Sequence, residues 1–354
     1  MNVIEKMEKI NAKEKIAMFM VKEAQDYEFK KRYAALRVKE FIAECDKRGL
    51  NYHVSVGGLD SITLYLFIKS LGYDVPGISA SYLEDRSIQE VHRQLGIESV
   101  KPIVDKNGKS WTKARVIQEF GFPVLSKEIA GKIELLQNPS EKNKTVRHAI
   151  ITGETGEYGG YRKNTRMKMS QKWLEKFGGY ENETEGVNYS VPDFKVSSKC
   201  CYYLKEKPCD DWAKQHNSVP FLGLMASEGG RRAKSLRING CNYFGASTIR
   251  SAPFAIFKRQ DLLQLAQELE VPIPKIYGQI AQKEDGTLYT TRAQRTGCSM
   301  CGFGIHIEKR PHRFDLLKEA DPKEWHYWMY ECCTDEDGKK FGWARVLDYI
   351  GVGY

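Results

Sequence analysis

From Asn51 onward, short apolar runs alternate with stretches in which apolar residues recur every three or four positions. The runs are Tyr52–Val56, Val75–Ser81 and Ser99–Val104, and the periodic stretches are Ser61–Leu71 and Ser87–Leu95. Short runs bounded by turn residues predict buried strands, and a 3.6-residue period predicts helices. Their alternation predicts βαβ units and a mainly parallel sheet. Residues 1–48 have a different texture and predict two polar, amphipathic helices broken near Asp26–Lys31. A polar, glycine-rich stretch, Gly153–Asn188, then reads as an insertion or lid over the sheet edge, with a basic helix around Thr165–Phe177. Beyond it the pattern predicts a strand at Val219–Ala226, helices at Gln260–Leu269 and near Arg313–Glu319, and a Tyr- and Trp-rich tail that packs back on the core.

Composition narrows the picture in two respects. With 41% hydrophobic and 29% charged residues, the 354-residue chain has an ordinary globular balance. No apolar run approaches the ~18–20 residues of a membrane span, and MNVIEKMEKINAKEK lacks the apolar core of a secretory signal. These features predict a cytoplasmic protein with no membrane partner. The formal charge of +9 favours phosphate-bearing partners, nucleotide or nucleic acid, although a lysine-rich solvated surface gives the same figure.

The sharpest local feature is Val54-Ser55-Val56-Gly57-Gly58-Leu59-Asp60-Ser61, at a strand-to-helix junction. Paired glycines let the backbone bend tightly and turn N–H groups toward an anion, and Asp60 or Ser61 can cap the new helix. The positive end of that helix faces the same anion. Arg231, Arg232, Lys234 and Arg237 follow a second predicted strand end, where ligands of open α/β sheets gather and arginine pairs bidentately with phosphate or sulfate.

Nine cysteines in a chain of this kind point to metal or redox chemistry rather than a disulfide framework. Cys200 and Cys201 are adjacent, and Cys298 and Cys301 form a Cys-x-x-Cys within Gly297–His306. Four thiolates suit a [4Fe–4S] cluster or a structural zinc. Lys195 and Lys199 flank the first pair and can draw an anion toward it. Cys332 and Cys333 lie in the tail beside Glu331 and Asp335.

Taken in order, these segments resemble the phosphoadenosine phosphosulfate reductase family and its sulfur-transferring relatives among the PP-loop ATP pyrophosphatases. Gly57, Gly58, Asp60 and Ser61 match the SGGxDS signature, whereas Val56 and Leu59 stand where a serine and, often, a lysine occur. Leu83-Glu84-Asp85, Phe120–Lys127, Lys195–Cys201, Gly223–Glu228 with Arg231 and Arg232, and Pro253–Asp261 are similar to further family motifs. The resemblance implies a doubly wound, mainly parallel α/β sheet of the adenine nucleotide alpha-hydrolase type, with N-terminal helices and a C-terminal lobe carrying cysteines. It divides the chain into a helical segment (1–48), a nucleotide-binding domain (49–260, with the insertion at about 153–188) and a C-terminal lobe (261–354).

For the site, the resemblance implies catalytic roles for Asp60, Ser61, Arg231 and Arg232. It implies nucleotide contacts from Ser55, Gly57, Gly58, Asp60, Ser61, Glu84, Lys195, Lys199 and Glu228, and a [4Fe–4S] cluster on Cys200, Cys201, Cys298 and Cys301, with zinc as the alternative. The substrate is ATP or a sulfonucleotide, accompanied by magnesium. Relatives either activate an acceptor, often a nucleic acid, for sulfur transfer, or reduce a sulfonucleotide to sulfite with a tail cysteine and a thioredoxin-like partner. The tail here lacks the reductases' Glu-Cys-Gly-Leu-His motif, which favours sulfur transfer from a donor protein. A nucleotide- or nucleic-acid-binding module without catalysis is the third reading.

Overall fold

The computed structural model describes residues 12–154, 167–178 and 191–354. The expected insertion therefore falls largely outside the described residues. Only its borders are seen, including a helix at Gln171–Phe177 within the basic stretch. The chain is mixed α/β and divides into two compact units, each built from two stretches: residues 1–101 with 208–298, and 102–207 with 299–354.

The first unit opens with helices α1 (Ala12–Glu23) and α2 (Tyr27–Lys47). The break between them falls at Asp26, whose carboxylate accepts the Phe29 N–H at 2.7 Å and so starts α2. Next come strand β1 (Asn51–Ser55), helix α3 (Leu59–Ser70), strand β2 (Gly77–Ser79), helix α4 (Arg86–Gln94) and the short strand β3 (Glu98–Ser99). After the chain returns at residue 208, β4 (Ser218–Leu222), helix α5 (Gly230–Asn239), β5 (Asn242–Phe244), β6 (Ile249–Ser251) and helix α6 (Arg259–Glu268) complete the sheet and its cover.

The strand order is β3-β2-β1-β4-β6-β5, parallel throughout except for the β5–β6 edge. β1 pairs with β4 over its whole length, from Asn51↔Ser218 to Ser55↔Leu222. On its other side it pairs with β2 at Val54↔Gly77 and Ser55↔Ile78. The order thus runs outward in both directions from β1. In open parallel sheets, such a reversal leaves a crevice beyond the strands' carboxyl ends. The Gly57–Gly58 loop leaves β1 at that end.

The apolar face of α3 (Leu59, Ile62, Leu64 and Ile68) is fully buried together with Phe41, Phe221, Phe254 and Phe257. A buried ion pair lies beside this core. Lys30 of α2, 3% exposed, reaches Asp261 of α6 at 2.8 Å, and the same carboxylate accepts the Lys258 N–H at 2.6 Å.

The second unit is mainly helical, with a two-stranded parallel ladder joining Val124–Leu125 to Gly302–Phe303. The aromatic tail does pack inward: Trp343 is fully buried, 5.0 Å from Phe122 and 5.3 Å from Phe314 between ring centroids. Among the described residues, no helix is long and apolar enough to cross a membrane.

Candidate functional site

The loop between β1 and α3 is held from several directions. Val56 N–H donates to the Ile78 carbonyl at 2.8 Å, so the chain leaves the sheet only after Val56. The Ser61 hydroxyl accepts the Gly57 N–H at 2.7 Å and donates to the Gly58 carbonyl at 2.9 Å, closing the loop over the first turn of α3. His92 of α4 lies behind it, with Nε2 2.8 Å from the Gly57 carbonyl and Nδ1 2.7 Å from Ser81 Oγ. A carbonyl only accepts, so Nε2 carries the proton and the Ser81 hydroxyl donates to Nδ1. His92, 1% exposed, thereby fixes the loop's carbonyl side.

The glycines serve a different end from the one expected. Neither Gly57 nor Gly58 has a left-handed backbone, and Gly58 is extended at φ −79° and ψ −167°. What Gly58 supplies is space. A Cβ there would run into the Tyr277 hydroxyl and lie 3.1 Å from Thr296 Oγ1. Tyr277 Oη accepts the Leu59 N–H at 3.1 Å and is 2.7 Å from Thr296 Oγ1, so a phenol already sits on the first amide of α3. The expected side-chain cap is also absent at this end of α3. Asp60 instead turns to Arg259, and Ser61 ties the loop together.

Two carboxylates adjoin the loop. Glu84, at the end of the turn after β2, is buried, and a Cβ on Gly57 would lie 3.5 Å from its Oε1. Asp60 receives Arg259 Nη1 at 2.6 Å. Burial pushes the Asp60 carboxyl above the usual carboxylate range against the pull of Arg259, and Glu228 adds to the rise. Glu228 in turn holds Arg295 at 2.9 Å and Arg232 at 3.0 Å, both arginines being mostly exposed. Ser55 ends β1 between Ile78 and Leu222. The structure thus brings Ser55, Gly57, Gly58, Asp60, Ser61, Glu84, Glu228 and Arg232 into the first unit. Arg231 lies on α5, but its side chain is outside the described set.

Lys195 and Lys199 belong to the second unit. With Glu119, Phe120, Gly131 and Glu134 they line a cleft of about 590 Å³. Lys199 Nζ is 2.7 Å from Glu134 Oε1 and 4.7 Å from the centre of the Phe120 ring. Cys200 and Cys201 begin a helical turn that passes into a π-helical stretch at Tyr202–Glu206; Cys200 is buried, and Cys201, Cys298 and Cys301 are partly so. Among the described residues, no three His, Cys, Asp or Glu side chains form a group set to hold a metal ion.

The tail thiols are both buried, Cys332 at 6% and Cys333 at 2% exposure, with sulfurs 4.0 Å apart. The contact from Cys332, reinforced by burial, drives the Cys333 thiol far above its ordinary value.

No family model, curated protein or solved structure matches this chain.

His92, Arg259, Tyr277, Thr296 and Arg295 were not among the expected site residues. Arg259 lies within the Pro253–Asp261 motif, and its place two residues before the helix-capping Asp261 is the one signal that pointed to it. Tyr277 and Thr296 reach the loop from more than 200 positions away, and no local pattern marks them.

Proposed function

We propose that the first unit binds an adenine nucleotide with its phosphates at the Gly57–Gly58 loop, in the manner of an adenine nucleotide alpha-hydrolase fold. The chain then uses ATP to activate an acceptor for sulfur transfer. In that reaction an acceptor oxygen attacks the α-phosphorus, pyrophosphate departs, and a sulfur nucleophile later displaces AMP. The observation that carries this reading is the loop's position: it leaves the carboxyl end of β1 where the strand order reverses, with the N-terminus of α3 behind it. Ser61 and His92 would hold the loop in register, and Arg232 and Arg295, exposed and paired with Glu228, would add only a water-screened positive potential. Magnesium accompanies the nucleotide, a nucleic acid is the acceptor class that the net charge of +9 suits, and the cytoplasm is the setting.

Burial of Cys332 and Cys333 weighs against the rival reaction, in which a tail thiol attacks a sulfonucleotide. The Cys333 thiol, buried and with its pKa raised, is a poor nucleophile; the same contact lowers the Cys332 thiol, so for Cys332 burial alone is the obstacle. The expected outcome is tight ATP binding, with AMP and pyrophosphate formed only when acceptor and sulfur donor are both supplied. No sulfite should appear from adenosine or phosphoadenosine phosphosulfate with a thioredoxin system. Sulfite release that vanishes in Cys332→Ser or Cys333→Ser would establish reduction instead, and tight binding with no turnover under any condition would favour the non-catalytic module.

The [4Fe–4S] cluster on Cys200, Cys201, Cys298 and Cys301 is a separate part of the proposal and rests on the cysteine pattern alone. Protein purified without oxygen should carry about four irons and four acid-labile sulfides per chain. Stoichiometric zinc without sulfide, or full iron content after Cys298→Ser and Cys301→Ser together, would refute it.

A further inference from the structure

We propose that Arg259 is the phosphate-binding cation of the glycine loop, taking the place of the lysine that Leu59 leaves out. This assignment rests on reading Gly57–Gly58 as a phosphate loop. Arg259 is the first residue of α6, and its Nη1 donates to Asp60 Oδ1 at 2.6 Å. Its other two nitrogens, Nε and Nη2, are buried and have no hydrogen-bond partner among the described residues. Buried donors without acceptors are rare in folded proteins, and guanidinium donors are among the strongest. The Nη1 tether places the planar guanidinium fork beside the first turn of α3, and a phosphate reaches the covered Nε and Nη2 once the groups over them move aside. Two adjacent N–H groups of such a fork match two oxygens of a phosphate.

The neighbouring cations are less suited to this task. Arg232 and Arg295 are both engaged by Glu228 and are 61% and 64% exposed, so water screens them. Arg259 is 28% exposed, as is Asp60. Asp60 has a defined part in this arrangement: it is a positioning residue that aims the guanidinium, and its own charge is offset by it.

The test is calorimetric titration of the full-length protein with inorganic pyrophosphate and with ATP. Arg259→Gln should weaken both about 10- to 100-fold, the span that loss of charge-assisted hydrogen bonds predicts. Arg259→Lys, which keeps the charge and loses the fork, should recover part of that loss. Lys39→Gln, which removes one exposed positive charge on α2, should stay within about twofold. Should Arg259→Gln fail to fold, Arg259→Lys carries the comparison, and affinity equal to that of the unaltered protein overturns the assignment. Binding by the unaltered protein that survives intact in Arg259→Gln sinks this inference alone. Failure of the unaltered protein to bind either ligand sinks the phosphate-loop reading and this inference with it.

Discussion

A Lys30→Met variant is expected to lose about 3–5 kcal/mol of unfolding free energy, the usual cost of removing one partner from a buried ion pair. The pair is enclosed: the Lys30 side chain is 3% exposed and that of Asp261 is 11% exposed. Methionine fills most of the lysine's volume, so the loss comes from the carboxylate left behind rather than from a cavity. Asp261 retains one partner, the Lys258 N–H, which falls short of compensating a buried negative charge. Denaturant unfolding gives the number directly. The double variant Lys30→Met, Asp261→Leu should recover only part of the loss, because it also removes the cap from α6. Full recovery would mean that the cap contributes nothing, and an undiminished single variant would mean that the pair is solvated in solution.

The second large effect is expected at Gly223, just beyond β4. A Cβ there would lie 2.9 Å from both Cα and N of Ser61 and 3.0 Å from the Asp60 carbonyl carbon. These are backbone atoms inside a helix and cannot swing aside as a side chain would. Gly223→Ala must therefore push the first turn of α3 away from β4, at a cost of about 1–3 kcal/mol by the usual scale of overpacking. The same shift displaces the Ser61 hydroxyl that closes the loop, so on the proposed phosphate-loop reading pyrophosphate and ATP affinity should fall at least about tenfold. Melting curves and calorimetry read the two effects separately. Unchanged values in both would show that β4 and α3 are not in contact as described. Gly58 makes a poorer probe, since its neighbours are the ends of flexible side chains, Tyr277 and Thr296, which can yield.

Much of the first unit could be read from the chain. The strand, loop and helix from Asn51 to Ser70 announce themselves because one apolar period replaces another within twenty residues, and the break at Asp26 carries its own cap. The misjudged boundaries have local causes. β2 is confined to Gly77–Ser79, next to Pro76, which has no N–H to donate. The run expected at Ser99–Val104 forms a strand only at Glu98–Ser99: the Val100 N–H still donates to the Ser79 carbonyl, but Pro102 then interrupts the run and Val104 makes an isolated bridge to Ser110. β4 stops at Leu222 because Gly223 must pass close to α3. The short antiparallel strands β5 and β6 were not anticipated; three residues are too few to show a period.

At the site, Gly57, Gly58, Asp60 and Ser61 were visible because they are consecutive and their chemistry is local. Their partners were not. Arg259 joins Asp60 from 199 positions away and Tyr277 joins Leu59 from 218, distances over which periodicity carries no information. Even the reason for Gly58 was hidden: it lies in what occupies the space beside it, and that occupant comes from another part of the chain.

That occupant changes what a binding measurement means. The Leu59 amide already has the Tyr277 oxygen as its acceptor. An anion that takes this amide trades one acceptor for another and sends the phenol elsewhere, with Thr296 Oγ1 at 2.7 Å as its nearest remaining partner. The heat released on titration is then the difference between two hydrogen bonds, not the strength of one. On the proposed reading, affinity at this loop would be set as much by the tyrosine that leaves as by the phosphate that arrives.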